Sequence, residues 1–245
     1  MLLGTSYQST FVMFGLLVTF AVIHSGGAAL RNRAEKLIGA RAWRLIFAGA
    51  SIPSAVVLIG YFLVHRYDGV RLWNLQGVPG IMPMVFFLTV ISFLFLYPAT
   101  YNLLEIPALA KPEIRLYATG IIRISRHPQA IGQIIWCFTH TLWIGTSFTV
   151  VTSLGLICHH LFAVWHGDRR LQARFGDSFL ELRRSTSVLP FLAVLDGRQK
   201  LQWKEFLRPS QLGICIAVGV FWWAHRFIPV ASEGFLSLRL PELMR

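Results

Sequence analysis

The sequence predicts an all-α integral membrane protein, a polytopic helical bundle with about six transmembrane helices that forms one domain over residues 1–245. Composition is the first reason: apolar residue types make up 55% of the chain and charged types only 14%, roughly half the charged share of a soluble globular protein. The second reason is a set of uncharged stretches long enough for a helix of about 20 residues to cross the hydrocarbon core. The third is an uneven distribution of Lys and Arg between alternate loops.

Five stretches without Asp, Glu, Lys or Arg define the predicted spans in chain order. Thr10–Leu30, Leu45–Val64 and Gly80–Ala99 each contain 20 or 21 residues. Residues 127–167 add 41, enough for two crossings joined by a turn, and residues 209–225 add 17 more. We therefore expect six spans, near 10–30, 45–64, 80–99, 128–147, 148–167 and 209–229.

Two long polar segments lie between these spans, one after the third span and one after the fifth. Residues 100–126 are amphipathic and contain Pro107 and Pro112, which predicts short helices that lie on the membrane surface. Residues 166–210 are expected to form a long polar loop, in which the apolar segment Leu189–Leu195 is too short to span and enters the interface.

Lys and Arg predict how the spans are oriented. All but five of the 23 Lys and Arg residues fall on the side of the membrane that the first span reaches at its end. The five exceptions are Arg66, Arg71, Arg226, Arg239 and Arg245. By the positive-inside rule, the basic side is cytoplasmic and both termini lie on the outer or lumenal side. The net charge of +12 therefore suits loops beside an anionic leaflet, and we expect no nucleic-acid partner.

Histidine, unlike Asp, Glu, Lys and Arg, occurs well inside the predicted spans. The deep histidines are His24, His140, His159 and His160, and those at the ends of apolar stretches are His65, His127, His166 and His225. An ionisable side chain at membrane depth is a candidate for function, because leaving it unpaired there is costly. The alternative is that each imidazole only donates a hydrogen bond to a neighbouring helix.

Several deep imidazoles without a carboxylate partner favour a haem. A zinc site is less suited to the sequence, which has no HExxH motif and no Cys or carboxylate cluster at zinc spacing. A haem is large and apolar, packs between helices and needs only one imidazole on each face. Aromatic residues expected to line such a pocket are Trp136, Phe138, Trp143, Phe162 and Trp165.

Depth along the spans gives a first ranking of ligand pairs. At 1.5 Å per residue, His24 lies about 9 Å and His159 about 12 Å from the cytoplasmic end, whereas His140 and His65 lie toward the outer end. Depth alone pairs His24 with His159 and His140 with His65, although a shift of about 6 Å from tilt or boundary placement exchanges the partners. Cys137 precedes His140 by three residues, so a thiolate and an imidazole on one helical face could compete for one iron position.

Five stretches also carry a resemblance to a known family: HSGGAALR at 24–31, SRHPQAIG at 125–132, WCFTHTLWIGTS at 136–147, CHHLFAVWHGDRRL at 158–171 and RFGDSF at 174–179. On these stretches and on the order of spans, nearly the whole chain resembles the NnrU-like membrane family. Within that family it is most similar to the members that isomerise zeta-carotene in carotenoid-making phototrophs.

The resemblance implies an enzyme with haem b that converts 9,15,9'-tri-cis-zeta-carotene to the 9,9'-di-cis isomer when the iron is ferrous. The family's axial ligands fall on His24 and His140, and Cys137 falls at the position proposed for an alternative ligand in the oxidised state. His65 matches a histidine that the family's activity needs. His159 and His65 stay open as alternative ligands or as part of a second haem site.

The resemblance also implies partners and a location. The substrate is a lipophilic carotenoid that enters from the bilayer, and the chain contacts membrane lipid and an electron donor. The implied location is a cyanobacterial thylakoid or plasma membrane, or a plastid membrane if the chain is a mature form.

Two other functions stay open. One is a non-catalytic membrane haem protein that carries electrons or responds to nitric oxide, as the wider family implies. The other follows from RHPQAIG at 126–132, which is similar to a stretch that binds S-adenosylmethionine, with a later acidic pair, in isoprenylcysteine and phospholipid methyltransferases. That pair is broken here, because Arg169 follows Asp168. We therefore expect a related architecture with an altered pocket, in which Arg126 and His127 hold haem propionates or are structural.

Overall fold

A computed structural model describes residues 2–104 and 116–206 and, beyond them, seven residues between 216 and 227. Over these residues the regular secondary structure is helical, as predicted. The α-helices in chain order are α1 (Leu2–Ala21), α2 (Gly27–Ile38), α3 (Ala40–His65), α4 (Ile81–Leu104), α5 (Ile121–Ile124), α6 (Pro128–Ile144), α7 (Ser147–Phe175), α8 (Asp177–Ser185) and α9 (Leu192–Leu195). A π-helical turn, Val22–Gly26, joins α1 to α2, and a 3-10 turn covers Trp203–Phe206.

Three helical segments of the described chain are long and apolar enough to cross a membrane: Tyr7–Ile38, Ala40–His65 and Ser147–Phe175. They contain the spans predicted near 10–30, 45–64 and 148–167. Helices α4 and α6 cover the spans predicted near 80–99 and 128–147, but α6 has 17 residues, slightly fewer than an upright crossing needs. The span predicted near 209–229 lies largely outside the described residues. The count of six spans, the single domain and the kinship to methyltransferases therefore stay predictions.

The polar segments are more helical than expected. The prediction of a loop over 166–210 was wrong at its start, because α7 continues to Phe175 and α8 follows it. Charged residues end the apolar stretch after Gly167, but Arg, Gln, Leu and Ala all favour helix, and α7 ends only at Gly176, where φ is +54°. Part of Leu189–Leu195 forms α9. Of the segment 100–126, residues 105–115, which include Pro107 and Pro112, lie outside the described residues.

Two segments near the basic end of the bundle are tied together by hydrogen bonds. Arg123 donates to both carboxylate oxygens of Glu205, at 2.8 and 2.9 Å, and this bonding raises the pKa of the Arg123 guanidinium. The Arg126 amide donates to the Ser187 carbonyl at 2.9 Å, and the Ser125 hydroxyl donates to the Val188 carbonyl at 2.7 Å. The chain before α6 is therefore fixed against the chain after α8.

The opposite end is closed where α6 turns into α7. Gly145 adopts φ +69° at the end of α6, and a Cβ there would lie 2.3 Å from the Trp73 carbonyl oxygen, so both its conformation and its surroundings require glycine. The hydroxyls of Thr146 and Thr149 both donate to the Arg66 carbonyl, at 2.9 and 3.0 Å. The chain after α3 is thereby held across this turn.

Packing of the helices leaves a gap on one side of the bundle. α4 packs on α6, α6 on α7, and α7 on α1, which in turn packs on α3. α4 comes nearest α6 at Gly132, whose carbonyl accepts a 2.8 Å hydrogen bond from the Ser92 hydroxyl. In the part of the chain that the structure describes, α3 and α4 make almost no contact. The bundle therefore encloses a space that is open between these two helices.

Candidate cofactor site

A cavity of about 610 Å³ lies among α1, α3, α4, α6 and α7. Its walls are formed by Phe20, His24, Ala55, Leu58, Ile59, Phe62, Leu63, Arg66, Tyr67, Met82, Val85, Phe86, Thr89, Phe93, Leu96, Gln129, Gln133, Trp136, Thr139, His140, Trp143, Ile144, Thr152, Leu156, His159 and His160. All four histidines predicted to lie deep in the spans are among them, and no Asp or Glu is. Its volume falls within the range of about 300–1,000 Å³ that is usual for cofactor sites.

His24 is positioned by the π-helical turn. A π turn changes the direction of side chains within a helix and is frequent at functional sites. The Nδ1 atom of His24 is 2.6 Å from the Ser51 hydroxyl of α3, and the imidazole lies between the rings of Phe20 and Phe47, whose centroids are 5.2 and 5.3 Å away. With Nδ1 held by a hydroxyl, Nε2 is the nitrogen left for a metal, as is usual for ligating histidines.

His140 is oriented by its own helix. Its Nδ1 donates to the Trp136 carbonyl at 2.9 Å, and its ring stacks on the Trp136 indole at a centroid distance of 3.9 Å. A histidine that donates through Nδ1 carries its lone pair on Nε2 in the neutral form. In its neutral form His140 is therefore held in one tautomer at the cavity wall.

His159 and His160 contribute two more imidazoles from α7. The His159 and His24 ring centroids are 6.0 Å apart, which brings together the two residues that depth placed at one level. The rings of His159 and His160 are 5.4 Å apart. Over the described residues, no group of three or more His, Cys, Asp and Glu side chains is arranged to hold a metal ion directly. A metal bound by these imidazoles would therefore need other ligand atoms, such as those of a porphyrin.

The structure does not bring Cys137 to the cavity wall. Its side chain is completely buried in the apolar core with Met13, Leu17 and Phe148. The Gln133 side-chain amide donates to its sulfur at 3.7 Å. Ligation of iron by this thiolate stays a prediction, and it requires α6 to rotate.

Replacing Cys137 by alanine tests whether the thiolate ever ligates iron. If it binds ferric iron, the substitution changes only the ferric spectrum and raises the reduction potential, because an anionic ligand stabilises the oxidised metal. The measurement is a spectroelectrochemical titration of wild type and variant. Identical ferric spectra and potentials would leave Cys137 with a packing role only.

His65 lies outside the cavity. Its Nδ1 is 2.8 Å from an Asp68 carboxylate oxygen, and its ring contacts the Tyr61 ring in a tilted arrangement at a centroid distance of 4.2 Å. The next residue, Arg66, does line the cavity. His65 is thus placed to order the chain at this end of the cavity, and its role as a ligand stays a prediction.

Arg126 and His127 form a separate cluster. Arg126 Nη2 is 2.9 Å and His127 Nε2 is 2.7 Å from the two oxygens of Asp168. All three residues line a second pocket of about 180 Å³ at the basic end of α6 and α7. The structure does not bring either residue to the large cavity, so their predicted contact with haem propionates stays untested.

Sequence reasoning missed some polar residues of the site. Gln129 and Gln133 line the cavity one helical turn apart, and their spacing within an uncharged stretch was a usable signal. Ser51, the partner of His24, carried no such signal because it comes from another helix. The position of Arg66 in the cavity wall was also not predicted, since the sequence places this residue just beyond the end of a span.

Two relatives match the chain over most of its length. Proteins of Zea mays and Arabidopsis thaliana, each named "15-cis-zeta-carotene isomerase, chloroplastic", are 51% identical to it over 224 residues. The match covers 90% of this chain and 61% of each relative, so the chain spans about three fifths of their length. No solved structure matches the chain.

A family model extends the comparison. The model for "NnrU protein" matches residues 12–232, a range that contains every histidine lining the cavity. This confirms the resemblance that the five sequence stretches indicated, and the chain belongs to the NnrU family.

Proposed function

We propose that the chain is a membrane enzyme that isomerises the 15-cis double bond of zeta-carotene, converting the 9,15,9'-tri-cis form to the 9,9'-di-cis form with haem b as cofactor. The observation that carries the proposal is one apolar cavity lined by four histidines. The names of the two relatives supply the substrate class. Isomerisation consumes no water, acid or net electrons, so it suits a cavity that has no carboxylate among its described lining residues.

The residues of the cavity fit a haem. His24 and His140 would hold the iron, each through Nε2, because Nδ1 of each ring already has a partner on the protein. Their rings are kept in place by Phe20 and Trp136, and the apolar walls exclude water. When bound, the haem would supply a ferrous iron able to lower the bond order of one double bond in a polyene.

The gap between α3 and α4 suits a substrate that arrives from lipid. Ile59 on α3 and Met82 and Phe86 on α4 line the cavity, yet their side chains are 55%, 68% and 40% exposed. The cavity therefore opens sideways through apolar side chains. A carotenoid is a rod about as long as the hydrocarbon core is thick, about 30 Å, and would enter by this route without crossing the polar surface.

The proposed activity is tested by producing the full chain in cells that make 9,15,9'-tri-cis-zeta-carotene and keeping the cells in darkness. Darkness matters because light isomerises the 15-cis bond without an enzyme. We expect the 9,9'-di-cis isomer to accumulate, as measured by chromatography of the pigments. Haem binding without any dark conversion would instead favour a haem protein that carries electrons or responds to nitric oxide.

Substitution of Met82 by tryptophan tests the lateral opening. The larger ring would fill the gap, so we expect slower dark isomerisation, by about tenfold, with unchanged haem content and spectrum. Met84→Trp is the matched control, because Met84 is also exposed on α4 but does not line the cavity. Equal rates for both variants would mean that the substrate enters elsewhere.

The second pocket gives a specific reason to consider a methyltransferase. Arg126 and His127, which belong to the methyltransferase-like stretch, line this pocket together with Asp168. However, its volume of about 180 Å³ is below the usual range for sites that bury a cofactor, and the Asp168 carboxylate is already paired with both basic side chains. The isomerase is therefore the better-supported proposal.

The proposed activity also implies a location and an electron source. The names of the relatives place those proteins in the chloroplast, which favours a photosynthetic or plastid membrane for this chain. A donor that keeps the iron ferrous is part of the proposal. Contacts with membrane lipid follow from the exposed apolar side chains of α1, α3 and α4.

A further inference from the structure

A group of arginines lies beside the cavity, beyond the histidines at its basic end. Arg31 on α2, Arg44 on α3 and Arg174 on α7 lie around the carboxylate of Glu35, and Arg170 on α7 is close enough to Arg31 to interact with it electrostatically. Arg31 Nε is 2.5 Å and Arg174 Nη1 is 3.8 Å from the Glu35 oxygens. Arg44 interacts electrostatically with Arg31, Glu35 and Arg174. These four arginines form the arginine cluster, and among the residues that the structure describes the carboxylate of Glu35 lies beside it.

Two donors of the arginine cluster are buried without an acceptor. They are Arg31 Nη2 and Arg170 Nε, which have no hydrogen-bond partner among the residues that the structure describes. Arg170 donates through Nη1 to the Ala28 carbonyl, so its guanidinium is fixed in place while Nε stays unpaired. Arg31 and Arg170 also repel each other electrostatically. Buried, unpaired N–H groups on like charges are the condition under which a bound anion stabilises a site.

The arginine cluster adjoins the imidazoles. On α7, His159 and Arg170 lie on the same helical face, because they are about three helical turns apart. Ala28, which accepts from Arg170, lies one turn after His24. Arg170 is also near enough to His24 to interact with it electrostatically. The large cavity thus has apolar walls and imidazoles, and the arginine cluster lies next to it on the side of His24.

We propose that Arg31 and Arg170, flanked by Arg44 and Arg174, bind the carboxylate groups of the haem. This inference rests on the proposed function, because it takes haem as the ligand of the cavity. A haem has one apolar edge and one edge with two carboxylates, and this order matches the order of apolar walls and arginines. Arg126 is a weaker partner for these carboxylates, because Asp168 already engages it in a different pocket.

The test compares ferric haem with its dimethyl ester, in which both carboxylates are replaced by neutral methyl esters. The full chain, prepared without haem in lipid nanodiscs, is titrated with each ligand and followed by its Soret absorbance. We expect the wild type to bind haem at least about tenfold more tightly than the ester, since a hydrogen bond to a charged group contributes about 1.5–3 kcal/mol. Arg170→Gln should lose this preference while still binding the ester.

Arg169→Gln is the matched control. It removes the same charge from the neighbouring position, where the guanidinium is exposed and lies 4.2 Å over the Trp165 ring, and it should keep the preference for haem. Arg31→Gln provides a second variant if Arg170→Gln fails to fold. It should also lose the preference, so that it binds haem and the ester with similar affinity.

The possible failures are distinguishable. Equal affinity of the wild type for haem and ester would overturn the carboxylate site while leaving haem binding intact. A loss of affinity for both ligands in Arg170→Gln would assign Arg170 a structural role only. Retention of phosphatidylglycerol by the wild type but not by Arg170→Gln, with equal haem and ester binding, would assign the arginines to a lipid phosphate. Binding of neither ligand by the wild type would refute the proposed function itself.

Discussion

Replacement of either His24 or His140 by alanine is expected to reduce dark isomerisation to background and to remove most of the haem. Each imidazole is held at the cavity wall by a hydrogen bond and by ring contacts, so alanine removes a ligand that is already in position. With only one imidazole ligand left, the iron changes spin state and the haem binds to the protein more weakly. The measurements are haem content, the ferrous and ferric spectra, and the amount of di-cis product formed in darkness.

His166→Ala is the matched control for these two variants. His166 stacks on Phe162 with an interplanar angle of 5° and does not line the cavity, so the variant should keep its haem and its activity. His159→Ala distinguishes the ligand pairs, because the His159 ring is 6.0 Å from that of His24. If His159→Ala lost its haem while His24→Ala or His140→Ala kept a wild-type spectrum, the proposed pair would be wrong.

Gly132→Leu is expected to be strongly destabilising although it touches no histidine. A Cβ at this position would lie 2.7 Å from the Ser92 carbonyl oxygen and 2.9 Å from the Leu96 amide nitrogen, both backbone atoms of α4. Since backbone atoms cannot rotate away, α4 must move off α6. Overpacking typically costs about 1–3 kcal/mol, and here it also displaces the α4 wall of the cavity.

We expect Gly132→Leu to unfold at a lower temperature than the wild type and to take up little haem. Gly49→Leu is the matched control, because a Cβ on Gly49 of α3 would meet nothing within 4 Å. Thermal unfolding in detergent, followed by circular dichroism, compares the two variants. Equal stability would mean that α4 and α6 lie farther apart than in this structure.

The helices could be predicted from the sequence, but their ends could not. The uncharged stretches predicted the positions of α1, α3, α4, α6 and α7, because charged residues are rare in the hydrocarbon core of a membrane. The same criterion stops at Leu30 and Gly167, where charges begin, although α2 continues to Ile38 and α7 to Phe175. An uncharged stretch shows how much of a helix lies within the bilayer and not how long the helix is. The continuations of α2 and α7 beyond the bilayer were therefore not predicted.

The histidines of the cavity were found by the same reasoning, whereas their grouping was not. An ionisable residue inside an apolar stretch is visible in sequence, and all four such histidines line one cavity. Depth alone placed His24 and His140 in different ligand pairs, because the depth of a residue says nothing about the tilt of its helix or about the rotation of that helix about its axis. That rotation also decides which of two residues one turn apart faces the cavity: His140 does and Cys137 does not. The arginine cluster was hidden because half of it lies on the part of α7 predicted to be a loop.

The π-helical turn at Val22–Gly26 determines how α2 is rotated about the helix axis relative to α1. Leu17 and Arg31 are fourteen residues apart, and an uninterrupted α-helix would place them on nearly the same face. The additional residue in the π turn offsets the following helix by about 100°. A deletion of one residue within the turn would leave the apolar length almost unchanged but would rotate Arg31 and Glu35 away from Arg170 and Arg174. Single-residue deletions and insertions are therefore the class of mutation to which this helix is least tolerant.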